Sequence, residues 1–190
     1  GLSVGSYTIT YKDANGCIAT ESHTLNEPPA LSGTANITQV VDCFGASTGA
    51  ITFDVDVTQP GVPSYQYSID NGSNYQSSNI FNNLSGNITY NVMIEDNNGC
   101  QYTSSIYLAE PAQLVASTSV VTSNMCAGDC IAEEDLTISG GIMPYSFDIT
   151  DINGTTTQNL ANGVSSYSLV ALCADNYVVV VTDANGCIAT

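Results

Sequence analysis

Residues 50–58 read Ala50-Ile-Thr-Phe-Asp-Val-Asp-Val-Thr58. Ile51, Phe53, Val55 and Val57 alternate with small or polar residues, a period of two that predicts a strand with one buried and one wet face. Residues 88–96 repeat the pattern with Tyr90, Val92 and Ile94. Further strands are expected at 31–41, 65–70, about 78–82 and 101–108. Pro60-Gly61 and Asn71-Gly72 mark turns, and Asp96-Asn-Asn98-Gly99 supplies the Asn-Gly pair of a tight hairpin. No stretch sustains a 3.6-residue period. The expected fold class is all-β, as immunoglobulin-like antiparallel β-sandwich repeats.

The pattern recurs. Asp-Ala-Asn-Gly-Cys-Ile-Ala-Thr stands at 13–20 and, unchanged, at 183–190. Cys17, Cys100 and Cys187 are spaced by 83 and 87 residues, and Tyr7, Tyr90 and Tyr177 keep those spacings. Leu-x-Glu-Pro-x-x-Leu begins at Leu25 and again at Leu108, also 83 residues apart. Two independent landmarks sharing one period define a tandem repeat. The expected division is 1–28 as the last strands of one repeat, 29–111 as a complete repeat and 112–190 as a second one lacking its last strand. The start in mid-pattern and the matched ends read as a piece of a longer array.

Composition excludes whole classes of partner. The 190 residues hold one Lys, no Arg and 18 Asp plus Glu, for a formal net charge of -17. A chain with so few cations has nothing with which to neutralise phosphates, so nucleic acid is excluded as a partner. An anionic membrane surface repels it, and no apolar run is long enough for direct membrane insertion by a helix. Hydrophobic residues make up 43% of the chain and charged ones only 10%, enough apolar material for a sheet core despite the charge.

Seven cysteines without paired Cys-x-x-Cys spacing or accompanying His read as disulfides, hence an extracellular, cell-surface or secreted location. Cys43 and Cys100 are the only two in the complete repeat and are expected to pair, as are their equivalents Cys126 and Cys187. Cys130 and Cys173 occur together in the third unit alone and are expected to join each other. Cys17 is left unpaired, its partner placed upstream.

Gly5-Ser-Tyr-Thr-Ile-Thr-Tyr-Lys-Asp-Ala-Asn-Gly-Cys17, the Glu-Pro junctions, Cys43-Phe-Gly45, Cys126-Ala-Gly128 and Gly140-Gly141-Ile-Met-Pro144-Tyr145-Ser-Phe147 together resemble SprB-type repeats. Leu172-Cys173-Ala174 ahead of Tyr177 resembles a variant of that repeat with an extra cysteine pair. The resemblance implies a module of very large surface adhesins, including gliding-motility adhesins, exported by type IX secretion. Pro60-Gly61-Val-Pro63-Ser-Tyr65 replaces the Gly-Gly form in the first repeat, so that turn is expected to differ.

No side-chain set points to catalysis, and the chain is expected not to be an enzyme. A nucleophilic triad needs a His, and the only one, His23, has no counterpart in the other units. Asp54 and Asp56 share one strand face and read as solvated charge rather than an acid–base pair. Calcium is the one cofactor kept open: Asp13, Asp96 and Asp183 recur at the turns and Glu27 and Glu110 at the junctions, where extracellular modules hold hard cations. Asp at such a turn more simply caps its own backbone.

The expected function is a non-catalytic structural or adhesive module of a long extracellular filament. Its partners would be neighbouring repeats of the same chain, other copies in a filament, or a surface polysaccharide. The alternative is a specific carbohydrate- or calcium-binding module, with Tyr65, Tyr67, Tyr75 and Tyr102 as stacking faces. Leu31 and Leu114 follow the Glu-Pro joint and are expected to pack on the preceding sandwich.

Overall fold

The computed structural model describes every residue except 127, 152, 155, 162 and 163, and describes 156–161 by their backbone. The chain runs as β1 (Gly5–Lys12), β2 (Ile18–Leu25), β3 (Leu31–Gln39), β4 (Gly49–Pro60), β5 (Gln66–Ser68), β6 (Ile80–Leu84), β7 (Ile88–Glu95) and β8 (Gln101–Leu108). It continues as β9 (Val115–Thr122), β10 (Ala132–Ser139), β11 (Ser146–Asp151), β12 (Thr156–Ala161), β13 (Ser166–Leu172), β14 (Tyr177–Thr182) and β15 (Ile188–Ala189). No helix occurs among the described residues. The fold class is the all-β one expected, with every strand expected between 31 and 108 present.

Among the described residues the strands form five sheets, in the orders β1-β2, β3-β4-β6, β5-β7-β8, β13-β10-β9 and β12-β11-β14-β15. The chain forms two compact units. One comprises Gly1–Thr34, Phe53–Asn79 and Asn91–Ser104, the other Ala35–Thr52, Ile80–Tyr90 and Ser105–Thr190.

In the first unit β1 and β2 form a hairpin in register from Gly5↔Leu25 to Lys12↔Ile18. Phe53 of β4 stacks on Tyr67 of β5, ring centroids 5.8 Å apart and planes 5° from parallel. Tyr67 pairs in turn with Ile94 of β7. Ile94, Val92 and Phe53 are almost fully buried, each side chain contributing about 1.5–3 kcal/mol by leaving water. The alternation of β4 holds at Ile51 and Phe53 and then fails: Val55 is half-buried, and Val57, expected inside, is 90% exposed. The last pair of β4 with β6 is Thr52↔Ile80, and Val57 lies beyond it.

The second unit contains a complete two-layer sandwich. Leu136 and Ile138 of β10 meet Phe147 and Ile149 of β11 and Val181 of β14 in one core, with Leu169 and Leu172 of β13. Alternation explains the pattern, since Asp135, Thr137 and Ser139 between the β10 core residues are exposed. Leu114 belongs to this core. It packs into the core of its own sandwich and also borders a hollow with Cys43 and Phe44 of the preceding repeat.

Three tyrosines at one phase of the repeat lock the strands' approach. Tyr7, Tyr90 and Tyr177 donate their hydroxyls to the carbonyls of Ser3, Ser85 and Cys173 at 2.6, 2.9 and 3.4 Å. Tyrosine bonding back to the backbone a few residues upstream is a device of immunoglobulin-like sandwiches.

Candidate functional site: the cysteine clasp and its turns

Asp-x-Asn-Gly-Cys builds one turn three times. Asp13, Asp96 and Asp183 each accept, on Oδ1, the N–H two residues on (Asn15, Asn98, Asn185) and the N–H of the following cysteine, at 2.8–2.9 Å. The N–H of Gly16, Gly99 and Gly186 closes on the Asp carbonyl at 3.0–3.1 Å. This is a three-residue loop with a left-handed glycine (φ 91°, 78° and 83°). A two-residue Asn-Gly turn would put Asn98 at positive φ as well, and Asn98 does not lie in that region. The Asp carboxylate does the work that a mirror-image turn would otherwise do.

The second oxygen of Asp96 and Asp183 reaches a loop that follows a strand of another sheet. Asp96 Oδ2 accepts the Val62 N–H at 2.8 Å, and Asp183 Oδ2 accepts the Ile142 N–H at 2.9 Å. The Val62 bond, with those from Cys100 and Asn98, holds the Asp96 carboxyl below its ordinary pKa despite opposing desolvation. Both aspartates are buried, at 5% exposure. Gly61 and Gly141 precede the two acceptor-seeking amides with φ 62° and 59°, and donate to the carbonyls of Ala30 and Ala112 at 2.9 and 2.8 Å. The Pro60-Gly61 turn, expected to differ from the Gly-Gly form, makes the same bonds. The turns differ one residue earlier, as expected: Gly140 has φ 69° and a Cβ there would lie 1.9 Å from the Gln113 carbonyl oxygen, whereas the first repeat has Pro60 at that place.

Of the three expected cysteine pairs, Cys130–Cys173 forms and the other two do not. Cys43 is bonded to Cys187, 144 residues on, with Cα atoms 5.7 Å apart, and Cys130 is bonded to Cys173. Cys17, Cys100 and Cys126 are unpaired and exposed. The pairs Cys43–Cys100 and Cys126–Cys187 do not form, and the strand layout gives the reason. Cys187 follows the turn that Asp183 ties to Ile142, beside Gly141 and Ala112 at the entry to β9. Cys126 lies past the far end of β9, whose eight residues span about 26 Å, whereas disulfide Cα atoms must come within about 7 Å. The turn before Cys100 closes on the entry to β3 through the equivalent bonds, and Cys43 lies past the exit of β3. Cys130 and Cys173 instead flank the cross-strand pair Ala132↔Leu172.

Around the Cys43–Cys187 bond the contacts are specific. Asn185 Nδ2 donates to the Asp42 carbonyl at 2.8 Å. The turn that presents Cys43 is closed by the Ala46 N–H on the Cys43 carbonyl at 3.0 Å. Glu110, from the Glu-Pro junction, accepts the Gly45 N–H at 3.0 Å and so braces that turn. The bond borders a surface hollow with Phe44, Gln113, Leu114 and Ile188.

The other residues singled out are dispersed. Asp13 caps its exposed hairpin, and Glu27 is exposed between β2 and β3. No group of three or more His, Cys, Asp or Glu among the described residues is placed to hold a metal ion. Tyr67 is in the core, and Tyr75 donates to Glu95 at 3.1 Å. His23 lies beside Glu21 at 3.1 Å on an exposed strand. Sequence reasoning missed the roles of Asn185 and Glu110, although both recur at fixed phase.

Residues 34–74 match the family model of the SprB repeat, the resemblance read from the motifs. No curated protein matches the chain. Among solved structures it is similar to the three N-terminal domains of the highly immunogenic outer capsid protein (Hoc) of bacteriophage RB49, at 13% identity and a TM-score of 0.43 over 85% of this chain. It spans 57% of that Hoc chain. It is also similar to the fibronectin(III)-like modules of Clostridium thermocellum CbhA, at 15% identity and a TM-score of 0.35 over 83% of this chain and 90% of that one.

Proposed function

We propose that the chain is a non-catalytic stalk segment of a long extracellular adhesin, in which sandwich repeats of about 83–87 residues are stacked into a semi-rigid fibre. The observation that carries this reading is the Cys43–Cys187 bond, which joins a cysteine of one sequence repeat to a cysteine of the next. Glu110 and Asn185 brace the two sides of that bond. A covalent tie between successive repeats suits a module that bears load, and it requires an oxidising compartment. The SprB match and the net charge of -17 fit a surface protein that extends from the cell, since like charges resist collapse within a Debye length. By the same resemblance the parent protein is an adhesin of the gliding-motility kind, exported by type IX secretion.

Small-angle scattering on the chain joined in register to a second copy of itself tests the stalk. An elongated particle whose length grows in proportion to repeat number is the expected result, and a compact or freely jointed pair overturns it. A glycan array run on the same protein should show no saturable binding, and a saturable, sequence-specific signal would favour a carbohydrate receptor.

A further inference from the structure

The structure holds one bond between repeats and three exposed cysteines with no partner, and a single rule accounts for all of them. Cys17, Cys100 and Cys187 leave the same Asp-x-Asn-Gly turn, their N–H groups held by the Asp carboxylate at 2.8, 2.9 and 2.9 Å. Their thiols are therefore presented by the same backbone. Cys43 and Cys126 share a different turn, in which the cysteine carbonyl accepts the N–H three residues on (Ala46 at 3.0 Å, Asp129 at 3.2 Å). Gly45 and Gly128 carry its positive φ, at 72° and 94°.

The bond that forms links the Cys-x-Gly cysteine of one repeat to the Asp-x-Asn-Gly cysteine of the next. The Asn that bridges to the neighbouring repeat, Asn185, is also repeated, as Asn15 and Asn98. Its acceptor is a main-chain carbonyl, at Asp42, so the bridge survives the change to Met125 at the equivalent place in the next repeat.

We propose that every repeat is clasped to its successor by this bond, so that Cys126 takes the Asp-x-Asn-Gly cysteine of the repeat that follows. Cys100 and Cys17 take the Cys-x-Gly cysteines of the two repeats that come earlier. This inference rests on the stalk reading, because it requires neighbouring repeats of the same kind. Each clasp converts two S–H groups into one S–S bond. Two protons and two electrons pass to a disulfide-bearing oxidant, such as an oxidised dithiol oxidoreductase of the export compartment, whose own disulfide is reduced to two thiols. Cys130–Cys173 stays inside its repeat and takes no part.

The repeated octapeptide gives a clean test. Because residues 183–190 equal 13–20, residues 1–190 followed directly by residues 21–190 again make an in-register double chain. In it Cys126 and Cys100 of the second copy lie 144 residues apart, the separation of Cys43 and Cys187. The protein is oxidised with a glutathione disulfide buffer, alkylated and mapped without reduction. The expected linked peptide joins Cys126 of the first copy to Cys100 of the second, leaving Cys17 and Cys100 of the first copy and Cys126 of the second alkylated. Cys126 joined to Cys100 of its own copy, or both alkylated, overturns the clasp. In the Cys126→Ser double chain, Cys100 of the second copy should become fully alkylated while the circular dichroism spectrum stays unchanged. An elongated scattering profile with those thiols still free sinks the clasp and spares the stalk. A compact profile with the link formed sinks the stalk and spares the clasp.

Discussion

The carboxylate of Asp183 holds the N–H of Ile142, 41 residues earlier, at 2.9 Å. With its other oxygen it caps the turn that delivers Cys187 to Cys43. One side chain thus fixes both the approach of two loops and the position of a thiol. Asp183→Ala should lower stability by about 1–3 kcal/mol, since the N–H groups of Ile142, Asn185 and Cys187 all lose their charged acceptor. Asp183→Asn should do nearly as badly, because its amide nitrogen cannot accept from Ile142. Urea unfolding checks this, and equal midpoints for Asp183→Asn and the parent would show that the bond to Ile142 contributes nothing.

A second carboxylate sets the behaviour in acid. Asp70 is held at a pKa of about 2, first by the Ser68 hydroxyl and then by Asn74. Its folded value lies below the unfolded one of about 3.9, so its contribution is complete above about pH 5 and fades as pH falls toward 2. The gap in melting temperature between the parent and Asp70→Asn should therefore be widest near pH 5 and nearly closed at pH 2. A gap independent of pH would contradict this.

Two glycines in the same left-handed region should respond differently to a methyl group. At Gly141 a Cβ would lie 2.7 Å from Asp183 Oδ2 and 2.9 Å from Leu114 Cδ1, whereas at Gly186 nothing lies within 4 Å. Gly186→Ala should cost about 1 kcal/mol from backbone strain alone. Gly141→Ala should cost about 2–4 kcal/mol, because strain and overpacking add. Thermal unfolding of the two variants gives the ranking, and its reversal would mean that strain outweighs contact.

The two disulfides close loops of different length and should stabilise unequally. In the chain-entropy model, Cys43→Ser with Cys187→Ser loses about 5 kcal/mol. Cys130→Ser with Cys173→Ser loses about 4 kcal/mol in the same model. Denaturant unfolding of each double variant measures both. A larger loss at Cys130–Cys173 would point to strand-end packing, not loop closure, as the source of stability.

Much of this was legible from local pattern. Ile51 and Phe53, and Val92 and Ile94, announce buried strand faces by alternation, and the octapeptide announces the repeat. Partner choice is not local. A tandem array looks the same to the sequence whether Cys43 bonds within its repeat or with the next, because the period carries both cysteines along together. Only the direction of β3 and β9 places the two cysteines of one repeat at opposite ends. Asn98 misled for a related reason: Asn-Gly suggests a mirror-image turn, but Asp96 supplies an acceptor that makes a different loop preferable. Val57 kept the alternation on the part of β4 beyond its last pair with β6, Thr52↔Ile80.

The bond between Cys43 and Cys187 also governs how far the chain can be drawn out under load. If its ends are pulled apart, the 144 residues bridged by the disulfide stay shielded from the force even after every strand between them has melted. At about 3.4 Å per extended residue, that hides on the order of 500 Å of contour. Oxidised protein should yield by short steps and reduced protein by long ones, so the redox state of one sulfur pair sets the molecule's maximum extension.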